Sequence, residues 1–307
     1  MVYFCGQLFL FNMHITITGD LGSGKSTVAK ELCRILGYTY LSTGQIQRNL
    51  AMEMGMNTLE FNRYTDQNLH IDDYIDKKVK EINDIKEPHV LDSRLAWHFI
   101  NTSFKIYLMA LDEVAAARVM KDDVRIGEPL ASDIQGKIKE LRDRRESENQ
   151  RFSSNYGVKP SLFTDFDAVV DTSTATIENV TQLLVSLYQM YVLKLRAPKI
   201  WLSPLRILPT RTEITTDFSE MYTGNQPVFY KNPITCFLYK REFYLSSNLN
   251  SLHECLENKC PFIPVELISK NMDDQFDIST FINHHFYEDD LLKMEDKYNF
   301  KYIRQQL

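Results

Sequence analysis

The spacing of hydrophobic and polar residues in the first two thirds of the chain alternates between a strand period and a helix period. His14–Gly19 alternates and carries β-branched residues, which predicts a strand. The near-continuous apolar run Phe104–Ala110 predicts a strand buried on both faces. Further strands are predicted at Tyr38–Leu41, His89–Leu91 and Ala168–Asp171. Helices are predicted between them, at Thr27–Leu36, Gly44–Met54, Ile71–Ile85, Leu111–Met120, Ile134–Phe152 and Ile177–Leu195. This alternation indicates βαβ units and a parallel sheet whose strand carboxyl ends share one edge.

The pattern changes after Arg196, where prolines become frequent and the apolar runs become short. Strands are predicted there at Pro227–Tyr230, Cys236–Tyr239, Phe243–Leu245 and Phe262–Ile268. A chain of 307 residues is long for a single core. We therefore expect two domains, an α/β domain over 1–196 and a smaller α+β domain over 197–307.

Composition narrows the class of protein. The chain is 44% hydrophobic and 25% charged, which is ordinary for a globular protein, and its net charge of −6 gives no general basis for binding nucleic acid. The 5 cysteines include no C-x-x-C pair, which suits a reducing compartment. The apolar stretch Leu183–Leu195 is too short to span a bilayer. We expect a cytoplasmic protein without a membrane partner, and its oligomeric state stays open.

A glycine-rich segment follows the first predicted strand of the α/β domain. Residues 19–26 (GDLGSGKS) satisfy the pattern G-x-x-x-x-G-K-[ST], with a strand before it and a helix after it. Such a loop turns its backbone N–H groups toward a triphosphate, Lys25 would neutralise phosphate oxygens, and Ser26 would ligate Mg²⁺. The predicted ATP-binding residues are Gly19, Gly22, Ser23, Gly24, Lys25, Ser26 and Thr27.

Two further groups of residues are predicted beside this loop. Asp92 ends a strand, where a carboxylate would join Ser26 in the Mg²⁺ site. Arg94 follows it, and Arg48 lies on the helix after the second strand, so both are candidates to hold an acceptor phosphate. A strand-end turn residue and solvated surface arginines are the alternatives.

Arginines are concentrated in the long charged helix, and phosphoryl transfer needs cations around the transferred group. The alternative is a solvated helix stabilised by pairs four residues apart, such as Glu140 with Arg144. The candidates are Arg142, Arg144, Arg145 and Arg151 on this helix, and Arg118 on the preceding one.

Several ordered segments together resemble one family. They are ITITGDLGSGKST (15–27), STGQIQR (42–48), AMEMGM (51–56), IDDYID (71–76), VLDSRLA (90–96), RRESENQRFSSNYG (144–157) and DTS (171–173). With these motifs, residues 13–192 resemble cytidylate kinase, especially its archaeal-type branch.

The resemblance implies a P-loop NTPase three-layer α/β sandwich with a five-stranded parallel sheet. It implies transfer of the ATP γ-phosphoryl group to CMP or dCMP, with Mg²⁺. By matching position, Arg48 and Arg94 would hold the acceptor phosphate. The catalytic side chains would be Lys25 and the lid arginines Arg118, Arg144 or Arg145, and Arg151. Asp72 and Asp76 match a paired-Asp motif whose role stays open.

Two positions depart from the family pattern. Ser93 stands where the family usually has Gly, and Ala115 stands where it often has one more Arg. These departures, together with the absence of a visible signal for cytosine selectivity, keep two alternatives open. One is a nucleotide-binding regulatory protein whose C-terminal domain contacts a protein or nucleic acid, and the other is a kinase for another small acceptor.

The C-terminal domain carries a second resemblance. Residues 201–210 (WLSPLRILPT) and 262–270 (FIPVELISK) flank a segment similar to a ParB/sulfiredoxin-like domain over about 198–272. Such domains usually carry a D-G-x-x-R nucleotide site, where this chain has 246–251 (SSNLNS). The Gly and the Arg of that site are both absent, so we expect a degenerate accessory domain without a second catalytic centre.

Overall fold

The structure is a computed structural model that describes residues 2–4, 7–9, 13–56, 60–61, 64–65, 69–121, 133–158, 163–209, 234–239, 242–268, 288–298 and 301–302. The strand predicted at Pro227–Tyr230 lies outside these residues, and so does the side chain of Asp72. The chain divides into two compact units, Met1–Ala197 and Pro198–Leu307, which are described separately.

The first unit contains a parallel five-stranded sheet in the order β4-β5-β3-β6-β7. A separate antiparallel pair, which the sequence pattern did not predict, is formed by β1 and β2. The strand bounds are β1 Val2–Phe4, β2 Gln7–Phe9, β3 His14–Gly19, β4 Thr39–Ser42, β5 His89–Asp92, β6 Ser103–Met109 and β7 Ala168–Asp171. The α/β fold class and the parallel sheet are thus confirmed.

The helices of this unit connect the parallel strands. They are α1 Lys25–Leu36, α2 Thr43–Glu53, α3 Leu69–Lys80, α4 Ala96–Phe99, α5 Asp112–Lys121, α6 Ile134–Tyr156 and α7 Ile177–Val192. The short helix α4 was not predicted, and the predicted helices differ from the observed ones at their ends. For example, α3 gives way to a 3₁₀ turn at Glu81–Asp84, and α6 runs four residues beyond Phe152 to a left-handed Gly157.

Local sequence explains where the helices begin and why the sheet lies inside. The hydroxyl of Ser42 accepts a hydrogen bond from the Gln45 N–H at 3.3 Å and caps α2, and Thr176 caps α7 in the same way. β5 and β7 are buried at every residue, as expected for parallel strands covered on both faces. α1 packs on β3, β4 and β5 and contacts α7. The carboxyl ends of β3 and β5 are thereby fixed beside the start of α1.

The second unit contains a mixed sheet in the order β8-β12-β10-β11-β9, in which β10 pairs with β12 in parallel and with β11 antiparallel. The elements are β8 Ile200–Leu202, β9 Ile207–Leu208, β10 Ile234–Tyr239, β11 Glu242–Ser247, α8 Leu249–Glu257, β12 Ile263–Leu267 and α9 Glu288–Tyr298. Strands and helices mixed in this way make an α+β unit. No helix in the described part of the chain is long and apolar enough to cross a membrane.

Candidate active site

The loop between β3 and α1 has the backbone conformation of a phosphate-binding loop. Gly19 has φ 139°, and a Cβ there would lie 1.9 Å from the Leu108 carbonyl oxygen, so no other residue fits. Gly22 has φ 71°, and a Cβ there would meet the Ala115 backbone at 2.6 Å. Gly24, with φ 84°, is the N-cap of α1 and has no side chain to occupy the helix start. The first N–H groups of α1 are therefore open to an anion.

Lys25 bends back over this loop. Its Nζ donates hydrogen bonds to the backbone oxygens of Gly19 at 3.1 Å and Asp20 at 2.6 Å. Burial, followed by the nearby positive charge of Arg94, lowers the pKa of Lys25 to about 7. Burial deprives this ammonium group of hydration that would stabilise its charge. A phosphate within hydrogen-bond distance would stabilise the charged form instead.

Asp92 and Ser26 meet beside the loop. The Ser26 hydroxyl donates to the Asp92 carboxylate at 2.6 Å, and the Tyr40 hydroxyl donates to the same oxygen at 3.1 Å. Asp92 is buried at the end of β5, so its carboxylate is fixed in place. The two predicted metal ligands are thus adjacent.

A cleft of about 460 Å³ opens at this edge of the sheet. It is lined by the loop residues Gly22, Ser23, Gly24, Lys25, Ser26 and Thr27. Seven of its lining side chains are cationic, namely Lys25, Arg48, Arg94, Arg118, Lys121, Arg144 and Arg151. Three are acidic, namely Asp76, Asp92 and Glu148. The cleft is therefore positive in a chain whose net charge is −6, which favours a polyanionic ligand.

Arg94 is the central cation of the cleft wall. Its backbone is fixed, because its carbonyl oxygen accepts hydrogen bonds from the Thr18 hydroxyl at 3.1 Å and the Trp97 indole at 2.9 Å. Its guanidinium forms an ion pair with Glu148, which also accepts from Arg144 at 3.1 Å. Burial and the neighbouring Arg144 lower the pKa of Arg94 to about 9. The group remains charged at neutral pH and is held where anions are expected.

The other predicted arginines of the cleft lie on three different helices, α5, α6 and α2. Arg118 donates to the Thr172 backbone oxygen at 2.6 Å and to its hydroxyl at 3.1 Å, which ties α5 to the end of β7. Arg151 reaches the Thr65 hydroxyl at 3.5 Å. Arg48 is exposed and lies near Gln45 of its own helix at 3.1 Å. Both predicted acceptor residues, Arg48 and Arg94, line the same cleft as the loop.

Arg145 is not among the residues that line the cleft. It pairs with Asp112 at 3.2 Å and approaches Asp20 at 3.6 Å, and both of these carboxylates are buried. Burial opposes its charge, but the two carboxylates outweigh that effect and raise the pKa of Arg145. Of the two adjacent arginines on α6, the structure therefore places Arg144 in the cleft lining and Arg145 against the carboxylates of Asp20 and Asp112. Gly19, at the base of the loop, is also outside the lining.

The two departures from the family pattern have different surroundings. Ala115 is fully buried and belongs to an apolar cluster with Leu21, Ile138 and Leu141. At this position the chain therefore places a small apolar side chain in the core. Ser93 does line the cleft, and its N–H donates to the Ile17 oxygen at 3.1 Å.

The structure gives contacts to residues for which motif reading predicted no role. Glu148 lies four residues after Arg144 on α6. This spacing predicts an ion pair between the two residues, but it does not predict the contact of Glu148 with Arg94. Thr172 joins the loop to β7, because its hydroxyl lies 3.0 Å from the Ser23 oxygen. Tyr40 supports Asp92 from β4. Asp76, whose role was left open, is buried and lines the cleft.

The fold and the cleft define a protein of the P-loop NTPase fold with a cleft beside the loop whose lining is rich in cationic side chains. Within that class, the chain belongs to the cytidylate kinase-like family, whose model matches residues 14–174. The matched segment covers the loop, Arg48, Asp92, Arg94 and the charged helix α6.

The relatives differ in how much of their own length the chain covers. A cytidylate kinase of Pyrobaculum neutrophilum is 35% identical over 173 residues, which are 55% of this chain and 89% of that protein. A cytidylate kinase of Archaeoglobus fulgidus is 30% identical over 183 residues, which are 59% of this chain and 98% of that protein. An S-adenosylmethionine-dependent nucleotide dehydratase of Lacinutrix mariniflava is 34% identical over 176 residues, and the chain spans only 36% of its length. Among solved structures, a shikimate kinase from Acinetobacter baumannii in complex with shikimate aligns with 60% of this chain and 94% of its own, at 15% identity and a TM-score of 0.41.

Proposed function

We propose that the protein is an ATP-dependent nucleotide kinase that transfers the γ-phosphoryl group to a nucleoside monophosphate, CMP or dCMP. One observation carries the proposal. A phosphate-binding loop and seven cationic side chains line a single cleft of about 460 Å³ in a chain of net negative charge. Two phosphate-bearing substrates need this concentration of positive charge, because phosphoryl transfer depends on positioning and on stabilisation of the charge in the transition state.

The residues around Ser26 fit a bound Mg²⁺. The Ser26 hydroxyl and the Asp92 carboxylate lie 2.6 Å apart and supply hard oxygen ligands. Mg²⁺ in such sites takes only one or two protein ligands and completes its shell with phosphates and water. When bound, the ion would neutralise charge on the β- and γ-phosphates. Tyr40 would keep the carboxylate of Asp92 oriented.

Each cation has a place in the proposed transfer. Lys25 would leave its loop carbonyls for the β- and γ-phosphate oxygens, while the N–H groups of the loop and of α1 surround the same phosphates. Arg118, Arg144 and Arg151 would stabilise the charge that spreads over the transferred group. No covalent intermediate is needed, because donor and acceptor lie in one cleft.

The acceptor would bind at the end of the cleft formed by α2, α3 and β5. Arg48 and Arg94 line the cleft and suit a phosphate. Ile75, Val79 and Phe99 supply apolar lining for a base. The relatives from Pyrobaculum neutrophilum and Archaeoglobus fulgidus are named cytidylate kinases, which supports CMP or dCMP as the acceptor.

We propose a non-catalytic accessory role for the second unit. The stretch between β11 and α8 is Asn248, preceded by two serines, and residues 242–257 contain no lysine or arginine. A phosphate there would have backbone groups as partners but no nearby cation from this stretch of chain.

The experiment measures ADP production from Mg·ATP with CMP, dCMP, UMP, AMP and GMP offered separately. We expect CMP or dCMP to stimulate ADP production at least tenfold above the acceptor-free rate. Omitting Mg²⁺ or adding excess EDTA should abolish that stimulation. If ATP binds but none of the five acceptors stimulates turnover, the kinase proposal is wrong, and a nucleotide-binding regulatory role takes its place.

A further inference from the structure

Glu148 occupies an unusual position for an acidic residue, inside the cationic part of the cleft. Its side chain is 13% exposed and is paired with Arg94 on one side and with Arg144 at 3.1 Å on the other. The Arg144 contact joins residues four apart on α6, which alone is a common helix-surface pair of small energy. The Arg94 contact is different, because it joins α6 to the segment that follows β5. Glu148 therefore ties a helix to the edge of the sheet through the residue proposed to hold the acceptor phosphate.

The electrostatics of the cleft explain why a carboxylate belongs there. Burial lowers the pKa of Arg94 most, and the positive charges of Arg144 and Arg151 lower it further. The guanidinium groups of Arg94, Arg144 and Arg151 repel one another strongly, because like charges interact more strongly where water is excluded. A negative charge between them lowers this repulsion. Glu148 provides one negative charge and accepts hydrogen bonds much as a phosphate oxygen pair would.

We propose that Glu148 is a positioning residue that stands in for the acceptor's phosphate in the empty enzyme and is displaced from Arg94 when that phosphate binds. The inference rests on the proposed function and deepens it. A phosphate dianion carries more charge than a carboxylate and competes well for Arg94, whereas a neutral acceptor such as a nucleoside has no group that can take the carboxylate's place. The cleft would thus select acceptors that already carry a phosphate.

The exchange also predicts a motion. When Arg94 turns to the acceptor, α6 loses its contact with the edge of the sheet through Glu148. Arg144 and Arg151 lie on the same helix, so a shift of α6 would move both relative to the transferring group. Acceptor binding and placement of these arginines would then be one event.

The test uses the full-length chain with Glu148→Gln, which keeps the shape of the side chain and removes its charge. The control is Glu146→Gln, an exposed residue on the same helix whose contact is with Gln150 at 3.4 Å. Binding of inorganic phosphate, CMP and cytidine is measured by calorimetry. We expect E148Q to bind phosphate and CMP about tenfold more tightly than the wild type, with cytidine affinity changed less than twofold. We expect E146Q to match the wild type.

Unchanged or weaker phosphate binding by a folded E148Q protein would overturn the inference, and so would an equal gain for cytidine. If E148Q does not fold, hydrogen exchange of the wild type answers the same question. Added phosphate should then increase exchange within residues 144–151, and no change in exchange would overturn the proposal. None of these measurements needs turnover, so a failure of the kinase proposal is recognised separately, by the absence of ADP production in the wild type.

Discussion

In each of the two units, a strand is followed by a residue in the left-handed conformation and then by a helix. Comparing these two helix starts shows which features come from backbone conformation and which come from the surrounding side chains. Gly24 precedes α1 with φ 84° and ψ 16°, and Asn248 precedes α8 with φ 67° and ψ 48°. Neither helix start is capped by its N-cap side chain, so both present N–H groups in the same manner.

The difference lies in what surrounds each turn. Lys25 follows Gly24 directly, and six further cations line the cleft. Leu249 follows Asn248, and residues 242–257 contain neither lysine nor arginine, whereas the buried Arg206 lies over the Phe243 ring at 5.6 Å. A helix start contributes about half an elementary charge, which is small against the charge of a triphosphate. We therefore expect the backbone conformation alone to be insufficient for a nucleotide site, and the cations from α2, the segment after β5, α5 and α6 to make the difference.

The largest expected effect comes from Lys25→Met. Without the ammonium group, phosphoryl transfer should fall about 10³-fold, because one charged donor to the transferring group is lost. Thermal stability should be preserved, because the replaced charge is desolvated in the free protein. The control is Lys30→Met, an exposed position on the same helix, which should retain activity within about twofold.

The same variant tests the comparison between the units. Equilibrium dialysis with Mg·ATP should give one nucleotide per wild-type chain, bound with much lower affinity by K25M. A second equivalent of ATP that persists in K25M would show that the helix start at Asn248 binds nucleotide after all.

Arg94→Lys should have the next largest effect. Lysine keeps the charge but loses the planar fork that can hold a phosphate through two hydrogen bonds. We expect the KM for CMP to rise about 30-fold with little change in the KM for ATP, a loss in the range of one charged hydrogen bond. Arg34→Lys, on the exposed surface of α1, is the control. Equal rises in both KM values would mean that Arg94 does not act on the acceptor.

Motif reading predicted the loop and the parallel sheet because the patterns that carry both are present in local sequence. The pattern G-x-x-x-x-G-K-[ST] requires left-handed glycines, and Gly22 and Gly24 have the positive φ it implies. Alternation of strands and helices gave the parallel sheet without tertiary information. The antiparallel pair β1–β2 carried no such signal in the sequence pattern.

Side-chain direction on α6 could not be predicted in this way. Arg144 and Arg145 are adjacent, and a helix turns adjacent side chains about 100° apart, so only one of them can face the cleft. Which one does so depends on Asp20 and Asp112, two buried carboxylates from other segments. The contact of Glu148 with Arg94 is likewise a tertiary one, visible only once α6 lies against the edge of the sheet.

Arg145→Gln and Arg144→Gln should therefore separate stability from catalysis. Removing Arg145 deprives the buried carboxylates of Asp20 and Asp112 of a cation, and we expect Tm to fall by about 5 °C with the KM values nearly unchanged. Removing Arg144 should lower kcat with a smaller loss of Tm. Melting curves and steady-state kinetics on both variants decide the assignment, and a larger kcat loss in R145Q would reverse it.

The smallest expected effect concerns the turn of the second unit. Asn248→Gly relieves the cost of a left-handed non-glycine residue, so Tm should rise by about 1 °C or stay unchanged. Asn250→Gly places the same substitution inside α8, where glycine should lower Tm by about 1–3 °C.

Asn248→Gly makes this helix start resemble the one at Gly24, but it supplies no cation. Combined with K25M, it should therefore leave ATP binding as weak as in K25M alone. A gain of binding there would mean that the glycine turn, and not the cations around it, is the limiting requirement for a nucleotide site in this protein.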